Sequence, residues 1–119
     1  MKYMLLVYLD EGWEKRSPAE RQQVYGEQMA HTKELGGRYL AGSPLHPPSS
    51  ATTMRVRDGK RLVTDGPFAE TREVLGGFYL IDVKDLNEAI RIAQRHPGAR
   101  LGTVEIRPVM EISGLPSEG

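Results

Sequence analysis

From Tyr3 to Leu9 the chain is apolar on both alternating faces, with Tyr3, Leu5 and Val7 on one side and Met4, Leu6 and Tyr8 on the other. A half-solvated strand alternates apolar with polar residues. A strand with no polar face has to lie centrally, covered on both sides or pressed against a second molecule. Val74 to Val83 is apolar to the same density. Two such strands demand a layered fold in which something covers each face of the sheet.

The helix signals between these strands are local. "RSPAERQQVYGEQMAHTKELGG" opens with Ser17, Pro18 and Glu20, a capping box with proline at the first helical position. Val24, Gln28, His31 and Leu35 fall on one stripe, with Tyr25, Met29 and Thr32 beside it, and Gly36 and Gly37 supply a left-handed stop. A second helix, in "KDLNEAIRIAQRHPG", takes Asp85 as its cap with Glu88 three residues later. Leu86, Ala89, Ile90 and Ala93 form its apolar face, and Pro97-Gly98 ends it.

Arg38 to Ala41 is expected to be a short strand, broken by "GSP" and then by "HPPSS", where prolines forbid a continuous ladder. Thr52 to Arg57 and Lys60 to Thr64 flank Asp58-Gly59, a strong hairpin signal. Leu101 to Met110 alternates, with Val104, Ile106 and Met110 opposite Thr103, Glu105 and Arg107. The order is strand, helix, strand, hairpin, strand, helix, strand. It predicts an α+β ferredoxin-like sandwich, two βαβ-type units around an antiparallel sheet with the hairpin as an elaboration. One domain spans 1–112, and 113–119 is expected to be a flexible tail. Helices on one face leave the other face of the sheet open, and a homodimer that stacks sheet on sheet would cover it.

Composition narrows the partners. The 16 basic and 16 acidic residues cancel, and neither sign gathers in one half of the 119 residues. The expectation is no nucleic acid, no membrane, and either a small, roughly neutral organic molecule or a protein. The chain has no cysteine, which removes disulfides, thiolate nucleophiles and cysteine-based metal sites together. "MKYMLLVYLDEG" has one basic residue and an apolar run of about seven residues, too short for a signal h-region or a membrane span. A cytoplasmic location is expected.

Three histidines are available for chemistry. His96 sits in the last turn of the second helix, where a donor satisfies terminal carbonyls. His31 borders the first helix's apolar stripe, a packing position. His46 lies in the proline-stiffened loop "SPLHPPSS" just after a strand, where working side chains tend to be held. Asp65, in "LVTDGPFAETREVLGG", also ends a strand. It is either the first residue of a tight turn bonding its own backbone, or a carboxylate that orients a histidine as a general acid–base pair.

Around it, Glu70 and Arg72 are candidates to line a pocket mouth, and Tyr8 or Arg72 to position a substrate. Gly76-Gly77 lies inside a strand and marks close backbone approach or a bulge, not a phosphate loop. No serine has a G-x-S-x-G context, and two histidines 15 residues apart with scattered carboxylates make no metal signature. The expected chemistry therefore uses no cofactor.

"LHPP", "TDGPFAET", "LGGFYLIDV" and "GTVEIRPVM", in that order and with the opening "MKYMLLVY", closely resemble the DGPF group of YCII-related proteins over nearly the whole chain. The resemblance implies a dimeric α–β barrel built from ferredoxin-like units. It implies a histidine–aspartate pair in a cleft, whose aspartate maps onto Asp65. The histidine maps onto His46 through "LHP", or onto His31 through the helical histidine that precedes "ELGGRYLAGSP"; His46 ranks first. Members resemble small-molecule isomerases, lyases and dehydrochlorinases, or accompany extracytoplasmic-function sigma factors. Two functions follow as expectations. One is a cofactor-independent lyase or isomerase using His46 and Asp65; the other is a non-catalytic small-ligand sensor or dimeric partner of a sigma factor.

Overall fold

The computed structural model describes residues 1–115. Its elements are β1 (Lys2–Leu9), α1 (Pro18–Leu35), β2 (Tyr39–Pro44), β3 (Thr52–Arg57), β4 (Lys60–Asp65), β5 (Val74–Asp82), α2 (Leu86–Arg95), α3 (Pro97–Leu101) and β6 (Gly102–Pro108). Short 3₁₀ turns lie at Gly36–Arg38 and Pro48–Ser50. The expected tail runs past 115 into residues outside those described.

Four strands form an antiparallel sheet in the order β2-β5-β1-β6, while β3 and β4 pair only with each other as a separate ribbon. The order and the intervening helices are those of the ferredoxin-like sandwich. On β1, Tyr3, Leu5, Val7 and Leu9 are buried beneath the helices. Leu5 and Ile81 are fully buried at the centre of a core that also takes in Leu35, Ala89 and Ile92. Met4, Leu6 and Tyr8, on the opposite face, are only half-buried.

Both helices begin where their caps dictate. The Ser17 hydroxyl accepts the Glu20 N–H at 3.1 Å, and the Asp85 carboxylate accepts the Glu88 N–H at 2.8 Å. Gly36, at φ 56°, turns the chain out of α1. Asp58 and Gly59, at φ 52° and 74°, make the β3–β4 turn with both central residues left-handed, as a hairpin loop of two residues requires. The paired glycines of β5 carry the expected irregularity. Val7 pairs with Gly77 and Tyr8 with Leu75, so Gly76 is the extra residue of a bulge.

Three expectations are corrected. The second strand is not broken at "GSP" but runs from Tyr39 through Pro44, hydrogen-bonded to β5 alone. As an edge strand it has no second neighbour that needs a Pro44 N–H. Pro97-Gly98 does not simply end α2; proline at the first position starts α3 instead. The buried face of α2 is Ala89, Ile92 and Ala93, whereas Leu86 and Ile90 are 49 % and 44 % exposed. Two alanines let the helix sit close on the sheet, which rotates the bulkier pair to the flank.

Candidate active site at the root of the hairpin

A cavity of about 640 Å³ opens where the hairpin joins the sheet. Its walls are apolar, from Leu45, Pro47, Phe68 and Leu75, and its polar groups come from Tyr8, His46, Ser50 and Thr53. Local chemistry shapes both loops that bound it. The Leu45 N–H bonds the Gly76 carbonyl at 2.9 Å, tying the first loop to the β5 bulge. Ser50 then closes the proline turn by donating its hydroxyl to the Pro47 carbonyl at 2.7 Å. The second loop is held through Gly66, at φ 94°. Its N–H donates to the Ala51 carbonyl at 2.7 Å and its own carbonyl accepts the Thr53 hydroxyl at 2.8 Å.

The bulge pairs Tyr8 with Leu75, another residue of the cavity wall. The Tyr8 hydroxyl reaches Glu105 Oε1 on β6 at 3.5 Å, the outer limit of a hydrogen bond. His46 is exposed and also borders a smaller hollow of about 290 Å³ beside Trp13 and Tyr25. Asp65 ends β4 opposite Thr52, exposed and outside the cavity wall. Among the described residues the Asp65 and His46 side chains share no hydrogen bond. Glu70 and Arg72 line an adjoining cavity of about 530 Å³ together with Asp10, Glu11 and Glu14. Pro48, Thr71 and Val74 border both cavities, so the sequence candidates divide between neighbouring hollows.

His31 lies elsewhere, in a buried aromatic cluster under the helices. It is 5 % exposed, and its Nε2–H donates to the Ile92 carbonyl at 3.0 Å, while Nδ1 is buried without a partner among the described residues. Its ring stacks on Tyr79 with centroids 5.8 Å apart and meets His96 edge to face at 5.7 Å. Burial pushes the His31 pKa below the ordinary imidazole value. His96 is 2 % exposed, and burial, helped by the neighbouring His31 charge, lowers its pKa to about 4. The expected role of His96 as a donor to terminal carbonyls is corrected: its Nδ1 accepts the Gly98 N–H at 2.8 Å and so caps the start of α3. Burial likewise raises the Tyr79 phenol above its usual value, and its hydroxyl meets Thr32 Oγ1 at 3.1 Å.

Trp13 and Tyr79 are the residues that local pattern does not mark. Trp13 is 7 % exposed, meets Tyr25 edge to face at 5.8 Å, and borders both hollows next to the main cavity. The available signal is that it is the one tryptophan and lies in the loop just after β1. Tyr79 sits mid-strand, and only the helix crossing above it creates its site. Among the described residues no group of three histidine, aspartate or glutamate side chains is placed to hold a metal ion. No helix among them is long and apolar enough to cross a membrane.

Comparison with known proteins agrees with this architecture. An uncharacterised protein of Rhizobium meliloti (strain 1021) is 37% identical over 117 residues, covering 92% of each chain. Among solved structures, 5-chloro-2-hydroxyhydroquinone dehydrochlorinase (TftG) from Burkholderia phenoliruptrix AC1100, in complex with 2,5-dihydroxybenzoquinone, superposes with a TM-score of 0.55 at 13% identity, over 92% of this chain and 94% of that one. At that identity the likeness is one of fold. The YCII-related domain family matches residues 1–113, and the chain belongs to it.

Proposed function

We propose that this protein is a cofactor-independent enzyme of lyase or isomerase type that acts on a small organic molecule in the cavity at the hairpin root. The observation that carries the reading is the cavity itself. Apolar walls of about 640 Å³ enclose few polar groups, among them an imidazole and a phenol from separate elements. His46 would take a proton from a carbon next to an electron-withdrawing group. The resulting electron pair either returns to a proton at a second carbon, an isomerisation, or expels a leaving group, an elimination. Positioned proton transfer of this kind is worth roughly 10²–10⁴-fold in rate.

Tyr8 positions the substrate with its hydroxyl. Asp65 would orient His46 and hold the imidazolium; this requires the two to meet on substrate binding, since catalytic hydrogen bonds often tighten only in the complex. Glu70 and Arg72, in the adjoining cavity, would contact a polar extension of the substrate. The fold is one on which TftG is a dehydrochlorinase, an elimination by name, although shared fold by itself carries no shared activity. We also propose that two copies pair through the open sheet face around Met4 and Leu6, where half-buried apolar residues need cover.

The test is proton exchange. Wild type and His46→Asn are incubated in D₂O with a panel of small hydroxylated aromatics and carbonyl compounds, and loss of C–H signal is followed by NMR. Exchange by wild type that falls about 100-fold or more in the variant supports the reading. Equal exchange in both proteins, or none across the panel, counts against His46 as the base.

A further inference from the structure

Three hollows meet at the hairpin root, and they differ in charge. Among the described residues no lysine, arginine, aspartate or glutamate lines the cavity of about 640 Å³. A charged group carried into it would lose its water with no countercharge in return. Any charge on a ligand therefore has to sit in one of the two neighbouring hollows. The one of about 530 Å³ sets Asp10, Glu11, Glu14 and Glu70 around Arg72, a surplus of carboxylates that turns anions away. The one of about 290 Å³ is balanced, with Glu14 against Arg21.

The balanced hollow lies between α1 and the His46 loop. Pro18, Arg21, Gln22 and Tyr25 line it, at the i, i+3, i+4, i+7 spacing that puts side chains on one stripe of a helix. Leu45, His46 and Pro47 line it too and are also wall of the main cavity, so the two spaces adjoin at His46. Its hydrogen-bonding groups lack partners. The Arg21 guanidinium is 3.7 Å from Glu14 Oε2, too far for a hydrogen bond. The side chains of Gln22, Tyr25 and His46 make no hydrogen bond among the described residues. The Tyr25 ring is nonetheless held in place, edge to face with Trp13. A guanidinium, an amide and a phenol on one helix stripe suit a compact group rich in acceptors, and a planar carboxylate matches the guanidinium fork.

We propose that this hollow is the carboxylate subsite of the active site, and that the substrate is a monocarboxylic acid with an apolar body. The inference deepens, and rests on, the reading of the main cavity as the place where His46 works. The body fills the main cavity against Phe68 and Leu75, the carboxylate lies on Arg21 and Tyr25, and His46 stands between them. Glu14, whose side chain is 45 % exposed, yields the guanidinium by turning to solvent. A second carboxylate has nowhere to go. The main cavity has no cation to meet it, and the acid-rich hollow repels it.

Phenylacetate, phenylacetamide and phenylmalonate share one apolar body and differ in charge. Each is titrated into ¹⁵N-labelled wild type, Arg21→Gln and Tyr25→Phe, and binding is followed by NMR, with far-UV circular dichroism as the control for folding. Phenylacetate is expected to shift residues 21–25, 45–46 and 68–75 together. It should bind wild type about 10-fold or more tighter than the amide or the dicarboxylate, and lose its preference over the amide in Arg21→Gln. Tyr25→Phe, which keeps the ring on Trp13, should weaken the acid about 10-fold and leave the amide unchanged. Acid and amide binding alike in wild type, or a preference that survives Arg21→Gln, overturns the subsite and leaves the main cavity standing. Phenylmalonate binding as tightly as phenylacetate overturns the monocarboxylate assignment. Shifts at 21–25 without any at 68–75 overturn the joining of the two hollows. No shift from any of the three compounds at about 10 mM overturns the subsite and counts against the cavity reading as well.

Discussion

The rings of His96 and Tyr79 meet edge to face with centroids 4.8 Å apart, beneath α1 and α2. Burial keeps His96 neutral: a charged imidazole there would lose its water and face His31 as well. The pKa of His96 is near 4 in the folded chain and near 6.5 when unfolded. Between those values the unfolded state binds the proton that the folded state refuses. Stability is therefore full above about pH 6.5 and falls as pH drops towards 4, by on the order of 3 kcal/mol. His31, shifted in the same direction by burial, adds to the slope. Urea midpoints measured from pH 7.5 to pH 4.5 should show this. His96→Asn, which keeps a cap acceptor for the Gly98 N–H, should flatten the curve; an unchanged slope would contradict the assignment.

Gly102 faces a different constraint. A Cβ there would run into the Tyr8 carbonyl across the β1–β6 pairing. The close neighbours are all backbone atoms of Tyr8 and Leu9, so no flexible side chain can yield. Gly102→Ala should cost about 3 kcal/mol or more, read as a fall in the thermal midpoint.

Loss of the Thr53 hydroxyl should be felt locally. It donates to the Gly66 carbonyl, and the ribbon beyond contributes little to the core. Thr53→Val is expected to raise amide exchange at Gly66 and its neighbours while moving the global midpoint by about 1 kcal/mol or less.

Core and β3–β4 ribbon should part company under truncation. Leu5, with no exposed surface, is expected to cost about 2–5 kcal/mol as Leu5→Ala. Met54→Ala, at a position 60 % exposed in the single chain, should leave the stability of the isolated chain within about 0.5 kcal/mol. Chemical denaturation at concentrations below any self-association compares the two directly.

What these residues determine on their own is whatever three or four neighbours in sequence can encode. Ser17 and Asp85 begin helices because a side-chain oxygen bonds an N–H three residues away. Asp58-Gly59 turns because both positions tolerate positive φ. The two-sided apolar runs place β1 and β5 at the centre of the sheet, since no other position could absorb them. Tertiary structure decided the rest. β2 could continue through Pro44 only because it lies at an edge. Leu86 and Ile90 stayed outside because alanines at 89 and 93 brought α2 close to the sheet. His31 and His96 met Tyr79 across 48 and 17 residues of chain, a distance at which spacing carries no information. The position of Asp65 relative to His46 belongs to the same class. Each is held by its own turn, and the angle at which the hairpin leaves the sheet sets whether they meet.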